Sequence, residues 1–135
     1  MEQTKLYLES YNITNISIRL NPSFQITEGP IEINPCFGRA ITKIDDNQAI
    51  ITLKVEIKNE GNKPFIGEIT IQGKFRCDNW ENSEDGQFLI KETTSTILFP
   101  YLRQALSNVT GLLNITPYIL PVVNTQSLFK KTNNK

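Results

Sequence analysis

Residues 97–123 read ILFPYLRQALSNVTGLLNITPYILPVV, and the fold prediction starts from this segment. Its first part contains the only long apolar pattern with helical spacing in the chain, which predicts a helix with one apolar stripe. The stripe consists of Leu98, Leu102, Ala105, Leu106, Val109, Leu112 and Leu113. We expect Pro100 to lie in the first helical turn and Gly111 to form a left-handed C-terminal cap.

Two prolines follow the predicted helix and prevent its continuation. Pro117 and Pro121 flank or interrupt residues 118–123, which are otherwise apolar. An interior strand cannot use proline, because each one removes a ladder hydrogen bond. We therefore expect an apolar segment without regular structure that needs to be covered.

The chain before the helix alternates between apolar and polar residues, as in a sheet. Strands are predicted at about residues 5–20, 37–44, 51–58 and 65–77, and a polar connector at 78–87. The first strand changes its apolar parity midway, which predicts a bulge. The inward residues of the last two strands are Ile51, Leu53, Val55, Ile57, Phe65, Ile69, Ile71, Phe75 and Cys77.

The predicted fold is α+β, with a four-stranded antiparallel sheet followed by helices. With 135 residues, the chain is expected to form a single domain spanning 1–135. Residues 130–135 are read as a disordered basic tail. One helix covers one face of four strands poorly, so we also predict that subunits associate.

Composition excludes several classes of function. Lys+Arg and Asp+Glu both number 14, which argues against nucleic-acid binding. The absence of histidine and of a phosphate-binding glycine loop argues against an enzyme, a metal site or a cofactor. Without a long apolar run or an N-terminal apolar region, we expect a cytoplasmic protein that does not insert into membranes.

The remaining carboxylate and thiol groups fit structural roles better than chemical ones. Asp45-Asp46 is read as a turn rather than a carboxylate dyad. Cys36 and Cys77 are read as buried or half-buried thiols, with their redox state left open. Arg76 next to Cys77 could lower the pKa of that thiol, but strand alternation puts the two side chains on opposite faces.

The motif at the start of the predicted helix resembles that of a known family. Residues 97–103 are similar to the "ILFPYAR" signature of the SecB protein-export chaperones, and residues 117–129 resemble that family's Pro-rich ending. The order of elements is also similar over residues 7–129. The resemblance implies a sheet followed by a long helix and a short C-terminal helix, assembled as a homotetramer (a dimer of dimers). It further implies an ATP-independent holdase that delivers unfolded preproteins to the SecA motor.

Two apolar segments that resist regular structure are the candidate client site. The first, residues 23–35, contains apolar side chains between prolines and glycine; the second is 118–123. If they lie side by side they form one trough, although they could also pack on each other as a satellite core. The predicted trough consists of Phe24, Ile26, Ile31, Ile33, Phe37, Tyr118, Ile119, Leu120, Val122 and Val123, with Leu128 and Phe129 as a further wall.

Two partner assignments follow from the resemblance. The family docks SecA on a carboxylate-rich outer sheet face, whereas Asn15 and Arg19 occupy the positions that look equivalent here. Glu60 is one carboxylate that remains. Replacing an acid by arginine weakens a charge-complementary contact. The alternative is a SecB-like chaperone dedicated to the antitoxin of a toxin–antitoxin module, without SecA docking.

Overall fold

The sheet and the long helix predicted from the sequence are both present. A computed structural model of the chain describes residues 4–115 and 118–121. Its strands are β1 (Tyr7–Leu20), β2 (Cys36–Asp45), β3 (Gln48–Ile57) and β4 (Phe65–Arg76). A 3₁₀ turn (Trp80–Asn82), α1 (Glu84–Phe88), a π-helical turn (Leu89–Thr93) and α2 (Thr94–Leu112) follow. The short C-terminal helix implied by the resemblance would fall beyond residue 121, outside the described residues.

The strand order is β1-β4-β3-β2, with antiparallel neighbours throughout. The consecutive strands β1 and β2 therefore lie at opposite edges of the sheet. The connection between them, which we call the crossing loop (residues 21–35), passes the end of the sheet where β3 turns into β4. This topology places an irregular apolar loop beside a rigid sheet end.

The core lies between α2 and the sheet face beneath it, which we call the inner face. Residues of β3 and β4 alternate between buried and more accessible positions, so the inward residues predicted for these strands are confirmed. Helix α2 packs on the same two strands. Leu98, Leu102 and Leu106 of its stripe are fully buried, and burial of such side chains is the main stabilising contribution.

β1 contains the irregularity that its change of parity predicted. Its register against β4 shifts between Leu8 and Ser10 and again between Ile13 and Asn15. After the second shift, Ile16 lies opposite the inward Ile69. The bulges therefore return the apolar side chains of this strand to the inner face.

The predicted start of the helix was wrong, and so was the residue predicted to form the left-handed cap at its end. Right-handed backbone begins at Glu84 in the predicted polar connector, where the Ser83 hydroxyl accepts a hydrogen bond from Gly86 N–H at 2.9 Å. Pro100 consequently lies inside α2 rather than in a first turn. At the other end, the left-handed residue is Asn114, with φ +65°, rather than Gly111. Asparagine tolerates this conformation because its short side chain can hydrogen-bond locally.

The helix leaves part of the inner face uncovered. Tyr11, Ile16 and Leu20 of β1 are 42%, 51% and 48% exposed, and each lies opposite an inner-face residue of β4. Tyr11 is partly covered by stacking on Tyr101 of α2, with ring centroids 4.3 Å apart. An edge strand thus carries an apolar stripe that its own helix does not bury.

Within residues 4–115 and 118–121, no helix combines the length and apolar character needed to cross a membrane. The same residues contain no group of acidic, cysteine or histidine side chains that could hold a metal ion.

Candidate functional site

The crossing loop is fixed by asparagine side chains although it lacks helix and strand. Asn21 donates from its backbone to the Pro64 carbonyl at 3.0 Å and from its side chain to the Lys63 carbonyl at 2.8 Å. Asn62 exchanges two hydrogen bonds with the backbone of Gln25, at 2.8 and 2.6 Å. Residues 21–25 of the loop are therefore hydrogen-bonded to the β3–β4 turn, and the side chains of Ile26 and Ile31 take no part in these bonds.

The segment after α2, residues 118–121, is held in a similar way. The Tyr118 N–H donates to the Thr110 hydroxyl oxygen at 2.8 Å, and Arg103 Nε–H donates to the Leu120 carbonyl at 2.8 Å. Leu120 itself is fully buried. Polar groups of α2 thus fix the backbone of a segment that makes no regular secondary structure.

The structure divides the predicted trough residues into three groups. The exposed ones are Ile26 (93%), Ile119 (58%) and Ile31 (39%). Those that are partly buried are Phe24, Phe37 and Tyr118, and those that are buried are Ile33 and Leu120. Val122, Val123, Leu128 and Phe129 lie outside the described residues.

Ile33 of the crossing loop and Leu120 both belong to the main hydrophobic core, which also contains the buried residues of β3, β4 and α2. Two aromatic contacts connect this region to the core. The ring of Phe37 lies 5.8 Å from that of Phe99, and the ring of Tyr118 lies 5.8 Å from that of Phe65, measured between centroids. Sequence reasoning missed Phe99 and Arg103 as neighbours of the site, because both fitted equally well as ordinary residues of the helix.

A cavity of about 620 Å³ lies between the crossing loop and the β3–β4 turn. Ile31 is the member of the predicted trough that lines it; most other lining residues are polar, among them Glu32, Lys58 and Lys63. The cavity was not predicted, because the two loops that form it meet only through the crossing of the sheet end. Its lining comes from the crossing loop, the start of β2 and the β3–β4 turn, and does not include residues 118–121.

The two cysteines differ. Cys77 is buried as predicted, whereas Cys36 is exposed and the expectation of burial was wrong for it, because it begins an edge strand. Burial, and then the neighbouring Asp78 carboxylate, raise the pKa of the Cys77 thiol. Arg76 pairs instead with Asp78 at 3.1 Å. These contacts favour an unreactive Cys77 and oppose the nucleophile interpretation.

The sheet face opposite α2, which we call the outer face, carries mixed charge. Asn15 lies opposite Thr70 and Arg19 opposite Ile66, both at outer positions of β4. The neighbouring outer positions of β3 and β4 hold the cations Lys54, Lys74 and Arg76 and the carboxylates Glu56 and Glu68. Cations and carboxylates are interspersed on this face, where Glu9 also accepts a hydrogen bond from Gln48, so it is not the carboxylate-rich surface that the resemblance implies.

Two relatives are similar to this chain in sequence. Protein-export protein SecB of Neisseria meningitidis is 26% identical over 114 residues, which are 82% of this chain and 76% of the relative. The Acinetobacter baylyi protein of the same name is 28% identical over 131 residues, covering 95% and 86%. Both alignments span most of each protein.

A solved structure has the same fold. The Mycobacterium tuberculosis SecB-like chaperone, in complex with a ChAD peptide from the HigA1 antitoxin, superposes with a TM-score of 0.69. The two chains are 12% identical, and the match covers 87% of this chain and 90% of the mycobacterial chaperone. At this identity the likeness concerns the fold alone.

The family comparison is the most extensive. The family model described as preprotein translocase subunit SecB matches residues 2–135. Members of this family are chaperones and not enzymes. The chain belongs to the SecB family of protein-export chaperones.

Proposed function

We propose that this protein is an ATP-independent holdase, which binds unfolded polypeptides between the crossing loop and residues 118–121. We call this region the client groove. The observation that carries the proposal is the exposure of Ile26, Ile31 and Ile119 on irregular backbone. Ile26 and Ile31 lie on a loop that asparagine hydrogen bonds anchor to the β3–β4 turn, and Ile119 lies on a segment that α2 holds.

Apolar surface of this kind suits clients of varied sequence. Burial of apolar area is not directional, so its contribution depends on area rather than on an exact sequence. A soluble protein seldom leaves large contiguous apolar surface exposed without a partner. The buried Ile33 and Leu120 then support the groove, while the exposed isoleucines contact the client.

We propose that the clients are preproteins destined for export and that the protein acts in the cytoplasm. The names of the relatives from Neisseria and Acinetobacter support this assignment. The alternative is service to an antitoxin, as in the antitoxin-peptide complex of the mycobacterial neighbour. Arg19 on the outer face favours the alternative, because a cation at that position weakens attraction to a basic SecA surface.

We also propose a homotetramer built as a dimer of dimers. The uncovered inner-face stripe of β1 supports association, since Tyr11, Ile16 and Leu20 are exposed in the single subunit. β1 is also an edge strand of 14 residues. A long edge with unpaired backbone groups readily pairs with another chain.

Suppression of aggregation tests the holdase function. Purified protein is expected to slow the aggregation of a slowly folding client in the absence of nucleotide. Ile119→Asp should raise the protein concentration needed for the same suppression about tenfold, because it places a charge in the apolar surface. Ile44→Asp is the matched control, since Ile44 is similarly exposed at 44% but lies at the far end of β2. Equal activity of the two variants would refute the groove.

Binding to SecA separates the two client assignments. If the protein serves export, it binds SecA in solution, and Arg19→Glu on the outer face strengthens this binding. If it serves an antitoxin, wild-type protein binds the antitoxin and does not bind SecA. Titration of each partner at two salt concentrations checks that the contact is electrostatic.

A further inference from the structure

Two hydrogen bonds from α2 hold residues 118–121 against the body of the protein. Arg103 Nε–H donates to the Leu120 carbonyl, and Thr110 accepts from the Tyr118 N–H, both at 2.8 Å. Residues 118–121 form neither helix nor strand. Hydrogen bonds to the side chains of α2 therefore hold this segment in place, as backbone hydrogen bonds would hold a helix or a strand.

Thr110 is suited to be an acceptor. It is fully buried, and its hydroxyl donates to the Leu106 carbonyl at 2.9 Å within the helix. This back-bond uses the single hydroxyl proton and leaves oxygen lone pairs for the Tyr118 N–H. Both polar groups are thereby satisfied at a position where an unpaired group would be costly.

Arg103 makes the second hydrogen bond that ties residues 118–121 to α2. Its guanidinium is partly buried, and a hydrogen bond from a charged donor is stronger than one between neutral groups. In the described part of the chain no carboxylate lies within ion-pair distance of Arg103. The hydrogen bond to the Leu120 carbonyl is therefore the contact that fixes the position of the Arg103 guanidinium.

We propose that Arg103 and Thr110 are positioning residues of the client groove, which hold residues 118–121 as a fixed wall and keep Ile119 presented to the client. The inference rests on the proposed holdase function and specifies how one wall of its site is made. A wall that is ordered before binding loses less entropy when a client binds. Cutting either tie therefore weakens binding, mainly through faster release of the client.

The test uses the full chain and a permanently unfolded client protein. Arg103→Met and Thr110→Val remove one tie each, and each is expected to weaken client binding about tenfold. Arg103→Lys and Thr110→Ser keep a donor and an acceptor, and they should restore most of the affinity. Gln104→Met on the exposed side of the same helix is the control and should bind like wild type.

Amide hydrogen exchange gives a second readout. The Tyr118 amide should exchange faster in both tie-cutting variants, whereas the amide of the core residue Ile71 should keep its protection. If Tyr118 exchanges faster and the client binds as tightly as before, the inference is overturned while the holdase function stands. If wild-type protein binds no client, the proposed function fails, and the inference fails with it. If Thr110→Val does not fold, the Arg103→Met variant tests the inference by itself, because Arg103 is only partly buried and its substitution disturbs the core less.

Discussion

Gly67 is the residue at which strand pairing leaves least room for a side chain. Its φ is +132°, and an added Cβ would lie 1.8 Å from the Ser17 carbonyl oxygen. An L residue rarely adopts this φ. In addition, β1 lies too close to β4 at this position to leave room for a Cβ atom.

Gly67→Ala is therefore expected to lower the free energy of unfolding by about 3 kcal/mol, through backbone strain and steric overlap. Denaturation by urea measures the change. Gly38→Ala is the control, because nothing lies within 4 Å of an added Cβ there. Its stability should equal that of wild type or exceed it by up to about 1 kcal/mol. Equal losses in both variants would contradict the argument.

The buried thiol of Cys77 makes stability depend on alkaline pH. Burial first, then Asp78, raise the pKa of Cys77 above the ordinary value of 9.0. The contribution to stability is fully present below pH 9.0 and decreases as the pH rises through the folded-state pKa, because the unfolded thiol ionises first. The free energy of unfolding of Cys77→Ala should decline less steeply above pH 9.0 than that of Cys36→Ala, in which Cys77 remains. An equally steep decline in both would be evidence against the buried thiol as the cause.

At the scale of elements, Arg39 joins β2 to the π-helical turn. Its side chain is only 5% exposed and contacts the Glu92 carboxylate at 3.6 Å. It also donates to the Lys91 carbonyl and to the Ser95 hydroxyl. This pair fixes the helical segment before α2 over the edge strand.

Arg39→Met should lower the free energy of unfolding by about 3 kcal/mol, since it leaves Glu92 without its cation in a largely buried setting. Lys54→Met is the control. Lys54 pairs with Glu68 at 3.7 Å on the outer face, where both side chains are more exposed. Its loss should cost less than about 1 kcal/mol. Thermal and urea unfolding measure both variants, and a larger effect at Lys54 would show that burial does not govern these pairs.

Elements with a clear period were predictable from the sequence. β3 and β4 alternate apolar and polar residues, and all the residues expected to be buried are buried, together with Ala49 and Ile66, which were not expected. The helical start at Glu84 was missed because Glu84, Asp85 and Gly86 are polar or flexible, so no apolar period marks it. The strand order could not be predicted either, because it depends on long-range pairing of β1 with β4 rather than on local pattern.

The candidate site was predictable only in part. Apolar character located Ile26 and Ile119, which are exposed, but it also selected Ile33 and Leu120, which are buried. Hydrophobicity alone does not distinguish a residue that contacts a client from one that supports the wall. The tie from Arg103 to the Leu120 carbonyl was not predictable, because a side-chain bond to a backbone carbonyl leaves no sequence signal.

At the scale of the whole molecule, the apolar stripe on β1 determines the expected assembly. Wild-type protein should have a mass in solution about four times the chain mass of 15.4 kDa. Ile16→Glu should reduce this mass, because a charge enters the stripe at a position that is 51% exposed in the subunit. Light scattering measures the mass. Ile44→Glu on the opposite edge strand should leave it unchanged, and a monomeric wild type would contradict the assembly.

Site-specific photo-crosslinking shows whether an unfolded polypeptide lies against the crossing loop and residues 118–121. A photoreactive residue is placed in turn at Ile26 and Ile119 in the groove, and at Thr52 and Thr70 on the outer face. The account predicts efficient crosslinks to an unfolded client at Ile26 and Ile119 and weak ones at Thr52 and Thr70. Crosslinks of equal yield at all four positions, or crosslinks confined to the outer face, would contradict it.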